Sequence, residues 1–189
     1  MKKDIILAGV GGQGILTIAT IIGEAATVAG LNLKQAEVHG MSQRGGDVQS
    51  NLRLSDTTIY SDLIARGSAD LIISMEPMEA LRYLPYLQEQ GWLVTSSHTF
   101  KNIPNYPDEE GLLNELQALP RVALLGIEDV AKENKMPKCA NIILLGRAAR
   151  YIEILSPEQL RESIRRVFAA KGERMVEMNL KAFDLGLNA

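Results

Sequence analysis

The chain has 189 residues, 46% apolar and 23% charged, the balance of a folded protein with a real core, which excludes disorder as its overall state. With 20 basic against 23 acidic residues the formal charge is −3, so no surplus of Lys and Arg exists to neutralise a run of phosphates, and this argues against nucleic acid as the main ligand. One cysteine, Cys139, excludes an internal disulfide, leaves no thiol set for an iron–sulfur cluster or a structural zinc, and points to a reducing, cytoplasmic compartment.

Met1-Lys2-Lys3 before an apolar stretch has the outline of a signal peptide, but Asp4 and the glycines from Gly9 to Gly14 interrupt it. No run approaches the roughly 18 apolar residues of a membrane span, so the expectation is a chain neither exported nor membrane-spanning. Residues 4–8 form a short apolar run ending at glycines, the pattern of a strand buried on both faces of a parallel sheet. A helix over 15–29 should follow, stopped by Gly30. Further strands are predicted over 34–38, 48–54, 69–75, 92–96 and 122–126. Residues 78–90 read as a helix after Pro77, kinked or broken at Pro85. Another helix is predicted over 141–152. Ser156-Pro157-Glu158-Gln159 then combines an N-cap serine, a proline at the first helical position and a glutamine three after the cap, opening a helix towards Ala170.

This alternation predicts an α/β fold, a three-layer Rossmann-like sandwich with a mostly parallel sheet. Between Val38 and Ile59 a glycine-rich loop precedes an alternating segment with no room for a crossover helix, so an antiparallel excursion is expected after the second strand. No repeat or Pro/Ser-rich linker divides the chain. The expectation is a single domain over 1–189, with the helices from about residue 156 as an appendage.

Gly9-Val10-Gly11-Gly12-Gln13-Gly14 follows a predicted strand and opens a predicted helix, the context a G-x-G-x-x-G match requires. Such glycines permit a tight turn and close ligand approach, and the helix N-terminus offers unpaired N–H groups to an anion. Simple strand-to-helix packing is the plainer alternative for them. A dinucleotide fingerprint also wants an acidic residue roughly 20 positions on, and Glu37 stands near that place, although a second glycine loop follows at once and crowds the space of an adenosine. That second loop, His39-Gly40-Met41-Ser42-Gln43-Arg44-Gly45-Gly46, sets an imidazole, a hydroxyl, an amide and a guanidinium among glycines. The mixture suits an anion or a cofactor, because Arg44 can fork onto a carboxylate or phosphate and the glycines expose backbone donors. A solvent-exposed turn is the plainer alternative.

Other residues carry weaker signals. His98, in Ser96-Ser97-His98-Thr99, stands where a ligand could be touched, but with His39 and Cys139 so scattered a metal site is not expected and a surface histidine is the default. Glu76-Pro77 follows a strand end where open α/β sheets bind ligands, and a structural turn or a partner contact explains it equally well. Arg161, Arg165 and Arg166, beside Glu158 and Glu162, read as a solvated ion-paired helix face.

The pair AGVGGQGI and EVHGMSQRGGDVQSNLR, about 20 residues apart, resembles the gamma-type subunit of the 2-oxoacid:ferredoxin oxidoreductases. Within that superfamily it is most similar to the beta subunit of indolepyruvate:ferredoxin oxidoreductase. Siblings acting on pyruvate or 2-oxoglutarate usually carry a Tyr-Gly-Pro-Glu-Arg-Arg-Gly-Gly type of second loop in place of His-Gly-Met-Ser-Gln-Arg-Gly-Gly. The resemblance extends through ADLIISMEPMEALRYLPYL and GWLVTSS and covers most of residues 4–170.

It implies an enzyme component that is inactive alone. In that family a larger partner binds thiamine diphosphate with its magnesium and carries the iron–sulfur clusters, and the complex turns a 2-oxoacid and coenzyme A into acyl-CoA, carbon dioxide and reduced ferredoxin. The role implied for this chain is to complete the chamber and help hold coenzyme A, through Gly9, Gly11, Gly12, Gln13, Gly14, His39, Gly40, Ser42, Gln43, Arg44, Gly45 and Gly46. No catalytic residue or metal ligand is assigned to it. Without its partner, such a surface is expected to permit self-association. Two other readings stay open: a free-standing dinucleotide-binding module using residues 9–14 and Glu37, and a scaffold with a vestigial glycine loop.

Overall fold

The apolar run that opens the sequence forms strand β1 (Lys2–Val10), buried from Lys3 to Val10 as a strand between two helical layers must be. The computed structural model describes residues 1–39 and 45–189. Its sheet also contains β2 (Asn32–His39), β3 (Asp47–Ser55), β4 (Ala69–Ser74), β5 (Leu87–Ser96) and β6 (Val122–Leu125), in the order β2-β3-β1-β4-β5-β6. β4 pairs parallel with β1, β5 with β4 and β6 with β5, whereas β3 runs antiparallel to both β1 and β2. β2 therefore points the same way as β1, and the expected antiparallel excursion is one strand inserted between two parallel ones. Its register is set by continuous pairing from Lys2↔Ser55 to Val10↔Asp47.

Side chains along β1 alternate between two apolar clusters. Ile5 and Leu7 join Leu71, Ile73 and Val94 on one face, while Ile6 and Ala8 join Ile72 and Leu93 on the other. The first face is covered by α1 (Ile15–Val28), α4 (Ile127–Glu133), α5 (Ala140–Ile152), α6 (Pro157–Phe168) and α7 (Glu173–Leu187), and the second by α2 (Pro77–Tyr83) and α3 (Glu109–Gln117). α1 ends in a Schellman motif, with the Leu31 N–H bonded to the Ala26 carbonyl at 2.9 Å and the Gly30 N–H to Thr27 at 3.1 Å. The capping box of α6 is formed in both directions, Gln159 N–H to Ser156 Oγ at 3.2 Å and Ser156 N–H to Gln159 Oε1 at 2.7 Å.

Two expectations are corrected. The helix predicted over 78–90 stops at Tyr83: Pro85 lies in a 3-10 turn over Leu84–Tyr86, and β5 begins at Leu87. Proline supplies no N–H and its ring collides with the preceding turn, so the helix ends rather than kinks. The helices after Ser156 do not hang off the domain. Leu160, Ile164, Phe168, Ala182 and Phe183 are buried in the main core, and α5 and α7 meet at Gly146 and Gly186 in backbone-to-backbone contact.

At the amino edge of the sheet the fully buried Asp4 carboxylate takes a forked pair of hydrogen bonds from Arg53, 2.8 Å from Nε and 3.1 Å from Nη2. Arg53 also donates to the carbonyls of Ser61 and Leu63 at 3.0 and 3.1 Å, tying down the loop after β3. Among the described residues no helix is long and apolar enough to cross a membrane.

Candidate functional site

The first glycine loop lies where β1 hands over to α1. Gly12 and Gly14 have φ of 102° and 86°, a left-handed backbone that glycine adopts without steric cost. Between them Gln13 folds back, its Oε1 accepting the Val10 N–H at 2.7 Å and its N–H donating to the Val10 carbonyl at 3.1 Å. Gly14 caps α1 without any side-chain bond, and the first turn carries no acidic residue. No side chain therefore caps the N–H groups of that terminus, which carry its partial positive charge. The Gly14 carbonyl accepts from Asn141 Nδ2 at 3.1 Å, and a Cβ on Gly14 would stand 2.6 Å from that nitrogen.

The second loop reaches the first through its end. Gly11 N–H donates to the Gly46 carbonyl at 2.8 Å, so two segments far apart in sequence share one seam at the carboxyl edge of the sheet. His39 ends β2 and pairs through its backbone with Val48, which pairs in turn with Gly9. Gly40, Met41, Ser42, Gln43 and Arg44 lie outside the described residues. Asn102, to which no motif in the sequence points, donates from Nδ2 to the Gly45 carbonyl at 2.8 Å.

Glu37 does not stand beside the glycine loop as a ribose-binding acid would. β3 intervenes, and Glu37 aligns through Ser50 with Leu7, two strands away, roughly 10 Å at the usual strand spacing.

Glu76 is fully buried and structural in its contacts. It caps α2 by accepting the Glu79 N–H at 2.9 Å through Oε2, while Oε1 accepts the Phe100 N–H at 3.2 Å and a short hydrogen bond from the Tyr106 hydroxyl. Burial first, and then the Glu76 carboxylate, push the Tyr106 phenol well above its usual range. Nearby, the Tyr83 hydroxyl donates to Asp47 Oδ2 at 3.5 Å, and burial together with the Asp47 charge pushes it up to about 12. Burial also raises the Glu79 carboxyl, although Arg82 Nε lies 2.8 Å away, and it raises the Cys139 thiol. His98 is set between two carboxylates of α4, Nδ1 3.3 Å from Glu128 and Nε2 3.2 Å from Asp129. Arg161 pairs with Glu158 at 3.0 Å and with Asp184 of α7 at 2.7 Å.

Fold and site together define an α/β protein whose two glycine loops meet at the carboxyl edge of a six-stranded mixed sheet. Residues 4–189 match the family model for pyruvate ferredoxin/flavodoxin oxidoreductase, and the chain belongs to that family. Over its whole length it is 36% identical to an indolepyruvate oxidoreductase subunit IorB of Archaeoglobus fulgidus and 37% identical to the subunit of that name from Pyrococcus horikoshii, covering 95% and 96% of those chains. Among solved structures, 98% of the chain superposes on 96% of the keto/oxoacid ferredoxin oxidoreductase gamma subunit from Geobacter sulfurreducens, with a TM-score of 0.71 and 26% identity. The fold is shared too with a longer chain, the 2-oxoglutarate:ferredoxin oxidoreductase of Magnetococcus marinus solved with 2-oxoglutarate, coenzyme A and succinyl-CoA. There 99% of this chain matches 30% of that one, with a TM-score of 0.75 and 22% identity.

Proposed function

We propose that this chain is the small, glycine-loop subunit of a 2-oxoacid:ferredoxin oxidoreductase that oxidatively decarboxylates indolepyruvate or another aryl pyruvate. The carrying observation is the Gly11-to-Gly46 seam, which joins both glycine loops into one surface beside the uncapped N-terminus of α1. Supporting it is the full-length likeness to indolepyruvate oxidoreductase subunits. In this reading a large partner holds thiamine diphosphate with its magnesium and the iron–sulfur clusters, and those groups supply the carbanion chemistry and the route for electrons to ferredoxin. One cysteine, buried and with its thiol raised, is poorly suited to ligate such a cluster, which needs about four thiolates.

This chain's share is to bind and to enclose. The backbone donors of residues 9–14 and the Arg44 guanidinium take the phosphates of coenzyme A, and residues 39–46 close the chamber against water. Leu16, Val38 and Phe100 are 38%, 52% and 47% exposed at positions flanking the loops, an apolar rim suited to a partner and, in its absence, to self-association. The complex acts in the cytoplasm.

The test is co-expression with the candidate large chain, purification on a tag carried by one of them, and assay of indolepyruvate oxidation with coenzyme A and ferredoxin. Co-purification with activity that needs both chains is expected. Failure of the two to associate, or full activity of the large chain alone, sinks the reading. Tight binding of NAD by the isolated chain, weakened by Glu37→Ala, would favour a dinucleotide-binding module instead.

A further inference from the structure

A third segment, which the sequence does not mark, is bonded to the second glycine loop at Gly45. Residues 97–108 leave β5 and cross the carboxyl edge of the sheet before α3 begins. Two hydrogen bonds pin this strap to one buried carboxylate: Glu76 Oε1 accepts the Phe100 N–H at 3.2 Å and the Tyr106 hydroxyl. Glu76 is itself fixed, since its Oε2 takes the Glu79 N–H at 2.9 Å and its carbonyl takes the Ser74 hydroxyl at 2.7 Å. A carboxylate with no exposed surface and this many donors has no freedom to move.

Between the two pins stands Asn102. Its Nδ2 donates to the Gly45 carbonyl at 2.8 Å, and this contact fixes which way the amide faces, since a reversed amide would set oxygen against oxygen. Its Oδ1 is then turned into a buried place without a hydrogen-bond partner among the described residues. A buried unpaired carbonyl oxygen is costly, and in a native structure it calls for a donor. Next along the chain, Gly46 accepts the Gly11 N–H, so the links run from Glu76 through the strap and Asn102 to Gly45, Gly46 and Gly11.

We propose that Asn102 is a positioning residue of the glycine-loop site: held by the strap on Glu76, it fixes Gly45 and Gly46 against the first loop and offers Oδ1 to an N–H or O–H donor of the bound ligand. The amide groups of a pantetheine arm are donors of that class, and this part rests on the function proposed above. The role is distinct from that of Arg44, which supplies charge, because an amide supplies direction.

Asn102→Ala and Asn102→Asp decide the matter. The aspartate keeps the size but loses the donor and sets a carboxylate against the Gly45 carbonyl, so both variants should loosen the seam. Amide hydrogen exchange at Gly11 in the full chain should then be faster by about tenfold in each. In the reconstituted complex the KM for coenzyme A should rise by about fivefold or more, and by a larger factor than kcat falls. Unchanged exchange in both variants, or faster exchange in the alanine alone, overturns the proposal, the second because bulk and not the hydrogen bond would then be responsible. Faster exchange with an unchanged KM overturns it as well, leaving Asn102 a loop tie and nothing more. A wild-type complex whose turnover does not depend on coenzyme A would instead refute the proposed function, and the exchange comparison would still decide whether Asn102 fixes the seam.

Discussion

Gly186 of α7 lies directly against Ile143 of α5: a Cβ built on Gly186 would overlap the Ile143 carbonyl oxygen, which is backbone and cannot turn aside. Glycine to alanine inside a helix ordinarily stabilises by about 1 kcal/mol. Here the helices would have to separate, so Gly186→Ala should destabilise by about 2 kcal/mol or more. Gly23 of α1 makes the contrast, because the nearest atom to its Cβ would be the flexible Leu33 Cδ2 at 3.2 Å, and Gly23→Ala should be close to neutral. Denaturant unfolding of the two variants measures the difference, and equal midpoints would refute the account of the α5–α7 contact.

The buried Asp4 carboxylate takes a forked pair of hydrogen bonds from the partly exposed Arg53 and lies 2.8 Å from Lys2 Nζ, so neutralising it takes the counter-charge from both cations. Asp4→Asn should cost about 1.5 to 3 kcal/mol of stability, the range for losing hydrogen bonds to a charged group. The pair stands at the amino edge of the sheet, away from the glycine loops, so a complex that still folds with this substitution should keep its KM for coenzyme A. A large rise in KM would mean that the two edges are coupled.

Tyr83 and Tyr106 both have phenols raised above the usual value of 10.0, Tyr83 up to about 12, by burial and by neighbouring carboxylates. The folded chain keeps these protons longer than the unfolded chain, so the stabilisation is complete below about pH 10 and is lost as pH rises towards about 12. Unfolding midpoints should fall across that alkaline range, and less steeply in Tyr83→Phe. Identical slopes in the two proteins would remove Tyr83 from the account.

Arg44→Ala, assayed in the reconstituted complex, should raise the KM for coenzyme A or lower turnover by roughly tenfold, the usual effect of losing one charge-assisted hydrogen bond of about 1.5 kcal/mol or more. The melting temperature should not move. Unchanged kinetics with every substrate would take Arg44 out of the site.

The legibility of the chain followed the kind of interaction that makes each element. β1 and the capping box of α6 could be read because each is a local pattern, a doubly buried apolar run in one case and a reciprocal side-chain bond in the other. α3 and α4 passed unseen because 9 and 7 residues are too few for a helical period to stand out. The Asp108 cap of α3, whose carboxylate accepts the Gly111 N–H at 2.8 Å, was the signal that could have located it. The loop at 9–14 was visible in its glycines. Its union with Gly46 was not, since a backbone hydrogen bond between distant segments has no side-chain signature, and Asn102, 57 positions from the carbonyl it holds, follows no spacing rule.

Because β3 pairs with β1 along nine residues and with β2 along eight, these ladders themselves hold the register of all three strands. The connection between His39 and Asp47 therefore has no register to set. Sequence can change there without sliding a strand or reversing which face is buried.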